Sequence, residues 1–558
     1  YCGQMTQSES CGYDTTPNLL RQYRETQFKD MARPADIDSH CSGQEEVVID
    51  EDSSLLRRVS HMATQSLPAC VSFFLFSLSN FILMYYAGHL EGSGGDPDAG
   101  TVIFAGISLA NMYANVTGFA FLIGMSSAVD TLASQQNGAQ RYEEVGLTLL
   151  RCLLVLGVLT VPVAAAWYFA EHVFLLLGVE EAVSAVVGGY LRVRVFSLPA
   201  DVLNESFSKY LMAMGVMKPA MYTALLNSAV LSALCWALTA PRFGIGGSST
   251  GLAWASVLSS HVSVAALISV SWGLQEVRRS LRPFFDAESA TRARLTEALD
   301  LQQLRDFVAL GVPGCAMMCS EWWAFEILTV FASQLGSVAV SAQSIMLQLC
   351  GLAFMLPLGI SITTTSMVGN ALGADKKRLA IQLSHTSLGI MLALEICVIG
   401  PLILWLGPSF VAAFTEDPEV KILARQTVHL LAFLVVGDGM QGVAGGILRG
   451  AGKQLTGALT NLFCYYCLGL PVAWWLCFRM EMGVGGLLLG ISLGASVQAF
   501  ALATVVFVRE SWMFVAICSD EEGYGGEESE ALMEKGELML NDLSNSLHEE
   551  YLTRNNFL

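Results

Sequence analysis

Two stretches of this chain place ionisable side chains in apolar surroundings at spacings that suit cation chemistry. The first is Ser320-Glu321-Trp322-Trp323-Ala324-Phe325-Glu326, which gathers two carboxylates and three aromatic faces. Glu321 and Glu326 are five residues apart, so on a helix turning about 100° per residue they point about 140° away from each other, and one of them is expected to dominate any cavity. The second stretch is Gly437-Asp438-Gly439-Met440-Gln441, followed by the small residues Gly442, Gly445, Gly446 and Gly450. Low dielectric disfavours the charged form of a carboxyl, so such a group exchanges protons near neutral pH. It then holds a proton or a cation, but not both. Trp322, Trp323 and Phe325 add faces that attract organic cations.

Each feature also has a plainer reading. An intramembrane carboxyl can simply hydrogen-bond a neighbouring helix. The functional reading is taken for Glu321 and Asp438, and the question stays open for Glu326 and for the aromatics. The glycine run reads first as close helix packing. Asp130 stands just before a turn, where local capping competes with a role in transport. Asn115 needs hydrogen-bond partners if buried, and either a substrate or another helix would serve. Asp201 and Glu205 are four apart on one helix face and would form a cation site if they faced a cavity.

These residues sit in a membrane composition: 53% hydrophobic and only 14% charged, with a mean hydropathy of +0.51, where an ordinary globular chain carries roughly 25% charged residues. Apolar blocks such as 102–128, 149–170, 337–364 and 482–508 are long enough to cross a hydrocarbon core of about 30 Å. The expected fold is an all-α polytopic membrane protein with about twelve transmembrane helices, near 64–88, 102–130, 145–170, 184–213, 218–241 and 248–273, then 307–333, 337–365, 381–407, 422–448, 454–478 and 482–508. The organisation that follows is a polar tail over 1–63, a six-helix lobe over 64–273, a linker with an amphipathic helix over 274–306, a second lobe over 307–508 and an acidic tail over 509–558. That last tail holds 12 acidic against 3 basic residues and reads as a solvated segment. The 14 cysteines are scattered without metal-ligand spacing.

Basic residues avoid translocation in short loops. Arg141, Lys218, the linker arginines, Lys376, Lys377, Arg378, Arg449 and Lys453 fall in one set of alternate loops, which places that set and both termini in the cytoplasm. The halves also repeat. Gly138 matches Gly373 at an offset of 235, as Gly124 matches Gly359; Asn227 matches Asn461 at 234, and Pro68 matches Pro313 at 245. Six helices per repeat give an axis along the membrane normal, with a cavity between the lobes. By these offsets Glu321 and Glu326 correspond to Phe76 and Phe81, and Asp438 to Asn204. The titratable machinery is therefore expected mainly in the second lobe.

Asn115-Val-Thr-Gly118, Asp130-Thr-Leu-Ala-Ser-Gln135 with Gly138, Glu321 to Glu326, Val368-Gly-Asn-Ala-Leu-Gly373-Ala, and Gly446-Ile-Leu-Arg449-Gly-Ala-Gly-Lys-Gln454 are similar to signature stretches of eukaryotic multidrug and toxic compound extrusion (MATE) transporters. The resemblance covers nearly all of 64–508. It implies a V-shaped pair of six-helix lobes and cation-coupled export of organic cations, drugs or metabolites by alternating access. It also implies that Glu321, Glu326 and Asp438 occupy acidic positions tied to coupling, and Asn115 a polar cavity position. The chain departs from the family at Gln348 and Leu83, where some members carry acids. The expected partners are a small cationic molecule, a proton or sodium ion and the lipid bilayer, with no cofactor, no metal and no nucleic acid, in a monomer of the plasma membrane or a vacuolar-type membrane. The rival readings are a flippase for lipid-linked saccharides, which would need a basic cavity, and an intramembrane enzyme, which would need His or Cys clusters or a carboxylate pair on one face. A phosphate loop is absent, since Gly452-Lys453 is followed by Gln454.

Overall fold

In hydrocarbon every backbone N–H and C=O must be satisfied internally, so long apolar runs become helices. The computed structural model describes residues 50–90, 97–239, 249–281, 296–415 and 417–508, and among these the secondary structure is helical, without strands. Of the expected tails over 1–63 and 509–558, residues 1–49 and 509–558 lie outside the described residues, and the first helix begins at Leu55, inside the expected tail. Of the expected linker over 274–306, residues 282–295 lie outside them, and its described parts hold a short helix, Gln275–Leu281, and the start of the helix Leu301–Ser333.

Among the described residues eleven helices are long and apolar enough to cross a membrane: α1 (Leu55–Gly88), α2 (Gly100–Gly138), α3 (Tyr142–Tyr168), α5 (Lys218–Thr239), α6 (Ser249–Ser271), α7 (Leu301–Ser333), α8 (Ser337–Gly373), α9 (Lys377–Phe414), α10 (Pro418–Gly450), α11 (Gln454–Phe478) and α12 (Gly483–Phe507). The remaining expected span, α4, comes in two pieces, Glu181–Arg194 and Leu198–Ala213, joined by a 3₁₀ turn over Val195–Ser197. The break has a cause: Pro199 cannot donate a backbone hydrogen bond and its ring crowds the preceding turn. Most helices run past their apolar windows because polar residues continue and cap them. Ser54 accepts from the Arg57 N–H at the start of α1, and Asp417 accepts from the Glu419 N–H just ahead of Pro418 in α10.

The two halves pack by the same rules. Within the first, α1 lies on α5, α5 on α6 and α2 on α4; within the second, α7 lies on α11, α11 on α12 and α8 on α10. Between them α1 meets α8, α2 meets α7, and α2 meets α8. The contacts are reciprocal to the residue. A Cβ on Gly138 would strike the Asn370 carbonyl, and one on Gly373 would strike the Gln135 carbonyl. Asn370 donates its side-chain N–H to the Ala213 carbonyl at 2.8 Å, and Gln135 donates likewise to Gly450 at 2.9 Å. Gly124 sits against Cys315, and Gly359 against Cys70. Each of these pairs is the image of the other under exchange of halves, which is the mark of a twofold relation.

Helix ends correct one register. Pro418 follows Glu181 by 237 residues, Gly450 follows Ala213 by 237, and the left-handed glycines Gly215 and Gly452 keep the same spacing. Asp438 therefore corresponds to Asp201, not Asn204. The offset of 234 between Asn227 and Asn461 belongs to the next helix and does not carry back across the turn, where the spacing already shortens by one residue between the helix ends Ala213 and Gly450 and the helix starts Lys218 and Gln454.

Candidate functional site

Asp438 and Gln441 are three residues apart on α10, which sets both on one face. Gln441 Nε2 donates to Glu321 Oε1 on α7 at 3.0 Å and to Asp438 Oδ1 at 3.2 Å. Gln441 Oε1 in turn accepts from Gln498 Nε2 on α12 at 3.0 Å. Gln498 also donates to Asn461 Oδ1 on α11, and Asn461 Nδ2 donates to the Met317 carbonyl at 3.1 Å, returning the chain of bonds to α7. One amide thus holds two carboxylates from different helices, and the rest of the network holds that amide. Among the described residues no basic side chain forms an ion pair with Glu321 or Asp438.

Aromatic groups border this network. The Phe325 ring lies 6.3 Å from that of Tyr465, whose hydroxyl is buried without a hydrogen-bond partner. Trp322 packs on Ala120, Cys315 and Cys319. Trp323 is 38% exposed, meets Phe121 edge-on at 6.1 Å and donates its indole N–H to the Val116 carbonyl at 3.4 Å. Val116 belongs to a π-helical turn, Asn115–Phe119, where the widened backbone displaces the regular ladder of hydrogen bonds. Asn115 opens that turn with an exposed side chain. Glu326 is half-buried and takes no part in the Glu321 network, as the angle between the two acids requires. The glycine run does pack closely: a Cβ on Gly446 would come within 2.6 Å of the Ser361 carbonyl of α8.

A second charged group lies in the first half. Asp130 is not a cap, because α2 continues to Gly138. Its Oδ2 instead accepts from Lys209 Nζ of α4 at 2.7 Å, with both residues buried. Glu205, one turn before Lys209, accepts from Ser126 Oγ of α2 at 2.8 Å. Asp201 accepts from Ser197 Oγ at 2.7 Å in the broken turn of its own helix. Asp201 and Glu205 are thus engaged by different hydroxyls, one local and one on α2, rather than by a common centre. Among the described residues no group of three or more His, Cys, Asp or Glu side chains is arranged to hold a metal ion.

Three charged residues that matter here escape the sequence reading. Lys209 stands one turn after Glu205 in α4 and Glu395 is a single charge within α9; the rule about costly intramembrane charges would flag both, but reading for acidic pairs and clusters passes over them. Arg449, grouped above with the cytoplasmic loops, is still inside α10 and donates to Ser361 Oγ of α8 at 2.9 Å.

The family described as MatE matches residues 68–236 and 313–475. Multidrug and toxin extrusion protein 2 of Oryctolagus cuniculus is 32% identical over 447 residues, covering 78% of this chain and 68% of that protein. Protein DETOXIFICATION 16 of Arabidopsis thaliana is 29% identical over 82% of this chain and 90% of its own. Among solved structures, that of the eukaryotic MATE transporter AtDTX14 superposes with a TM-score of 0.72 at 23% identity, over 82% of this chain and 99% of that one.

Proposed function

We propose that this chain, which belongs to the MatE family of multi-pass membrane transporters, exports organic cations, drugs or metabolites by alternating access in exchange for protons or sodium. The observation that carries this reading is the pair Glu321 and Asp438 held on one Gln441 amide. Two carboxylates so close in a low-dielectric interior are costly to ionise together, so the pair binds a proton or a cation, and the two compete for it. The Phe325 and Tyr465 rings beside the pair offer faces to an organic cation, and the unpartnered Tyr465 hydroxyl offers a donor. Of the interior cations that an anionic cargo would need, Lys209 is paired with Asp130 and Arg449 is hydrogen-bonded to Ser361.

The reciprocal contacts of Gln135 to Gly138 with Asn370 to Gly373 supply the moving part. They join the halves at the end from which Arg141, Lys376 and Lys377 emerge, the side that the distribution of basic residues assigns to the cytoplasm. Opening inward has to break them. With that orientation the two six-helix lobes, which begin at α1 and α7, rock against each other, and the segments before α1 and after α12 remain in the cytoplasm.

The test is uptake of a fluorescent organic cation into proteoliposomes under an imposed proton gradient, repeated with a sodium gradient. Accumulation driven by one gradient and abolished by its collapse supports the reading. Equal uptake with and without either gradient overturns it.

A further inference from the structure

α9 carries a carboxylate for which the network described above has no use. Glu395 opens the π-helical turn Glu395–Ile399 in the middle of α9, and its side chain is fully buried. Neither of its oxygens has a hydrogen-bond partner. The carboxylate lies against α10 at Gly439, where a Cβ would collide with Glu395 Oε1. Gly439 is the neighbour of Asp438. Glu395 interacts electrostatically with Asp438 on α10, and the Cys350 thiol on α8 with both of these and with Glu321 on α7; none of the four is a cation.

A carboxylate that served only to tie helices together would be hydrogen-bonded, because an unpaired buried polar group is destabilising. Glu395 is instead retained in a pocket made by a glycine and a widened turn, without a donor and beside another acid. π-helical turns of this kind recur at functional sites.

We propose that Glu395 is a second proton-binding residue, paired electrostatically with Asp438, so that the second half of the protein binds one more proton than the Glu321–Asp438 pair alone. The inference rests on the antiport reading for its place in the cycle, but not for the protonation itself. Each step is balanced simply: a carboxylate oxygen takes one proton from water as a new O–H bond and later returns it, and the local charge changes by one. Because like charges interact across Gly439, the state of Glu395 sets the pH at which Asp438 ionises.

The experiment is acid-minus-alkaline infrared difference spectroscopy on the purified full chain in lipid, following the carbonyl stretch of protonated carboxyl groups. Glu395→Gln is expected to remove one such band and to move the titration of the Asp438 band, assigned with Asp438→Asn, by roughly tenfold in proton concentration. Glu395→Asp should keep the band at a changed frequency, which guards against a general loss of fold. An unchanged set of bands in Glu395→Gln, or an Asp438 band that titrates where it does in the wild type, overturns the proposal. Proton counting during tetraethylammonium exchange in proteoliposomes separates the two readings. If the wild type moves the cation without any proton dependence while the Glu395 band is real, the proton site stands and antiport by protons falls.

Discussion

The α2–α4 and α8–α10 interfaces occupy equivalent places in the two halves, yet they are held together by different chemistry. Under the 235 and 237 offsets, Asp130 and Lys209 correspond to Thr365 and Gly446, and Ser126 and Glu205 correspond to Ser361 and Gly442. In the first half these positions form the Asp130–Lys209 ion pair and the Ser126–Glu205 hydrogen bond. In the second half Thr365 donates to the Gly446 carbonyl at 2.9 Å and Ser361 to the Gly442 carbonyl at 2.6 Å. The same contacts are made, but where the first half uses charged side chains the second uses backbone. Glycine brings α10 onto α8 and puts backbone acceptors where the first half has an ion pair, with Arg449 hydrogen-bonded to Ser361 at the same seam, while Asp438 is left beside Glu321 and Glu395 with no basic side chain in an ion pair with it. Neutralised acids hold helices together; acids without counter-charge are available to titrate.

The sharpest way to break that comparison is to remove titration from each half separately. In proteoliposomes Glu321→Gln with Asp438→Asn should cut gradient-driven exchange by roughly a hundredfold or more, the scale on which proton-transfer groups act. Asp201→Asn with Glu205→Gln should leave both its rate and its pH dependence near wild type. Loss of coupling in the second double variant alone would mean that the wrong half has been chosen.

The ion pair gives the next largest effect. Removing one partner of a buried pair strands the other charge, so Lys209→Met should destabilise the protein by about 3–5 kcal/mol, and Asp130→Leu added to it should restore most of that loss. Thermal unfolding in detergent reads both variants. Equal destabilisation in the single and double variants would show that Asp130 is not left stranded.

The backbone seam should be sensitive to volume rather than to charge. Gly446→Ala forces α10 away from the Ser361 carbonyl and should cost about 1–3 kcal/mol. A neutral result in the same melting assay would mean that α8 and α10 are not in the close contact described.

The smallest expected effect concerns the aromatic link between the halves. Trp323→Phe keeps the ring but deletes the hydrogen bond to Val116, which should cost about 1 kcal/mol and leave the pH profile of transport unmoved. A shifted pH profile would instead tie Trp323 to the titrating groups.

Much of this molecule was legible in its residues because two strong rules act along the chain. Hydrocarbon admits only self-satisfied helices, so apolar blocks located the spans, although helix ends such as Leu55 and Gly138 lie eight or nine residues beyond them, and the repeated Gly138 and Gly373 motifs marked the two halves. The same reasoning put Glu321 and Asp438 forward and separated Glu326 from Glu321 by angle. What residue order leaves undetermined is which groups meet across helices far apart in sequence. Gln441 looked like a minor neighbour of Asp438, and only packing shows that it bridges α10 to α7. Asp130 read as a cap because its partner Lys209 is 79 residues away. Asp438 was paired with Asn204 because a motif offset does not show where a turn gains a residue, whereas helix ends do. Glu395 was unremarked because a lone acid in an apolar run carries no pattern. Its significance depends on a widened turn and on a glycine of another helix, and hydrophobic periodicity encodes neither, since it reports which face of a helix is buried and not what lies against it.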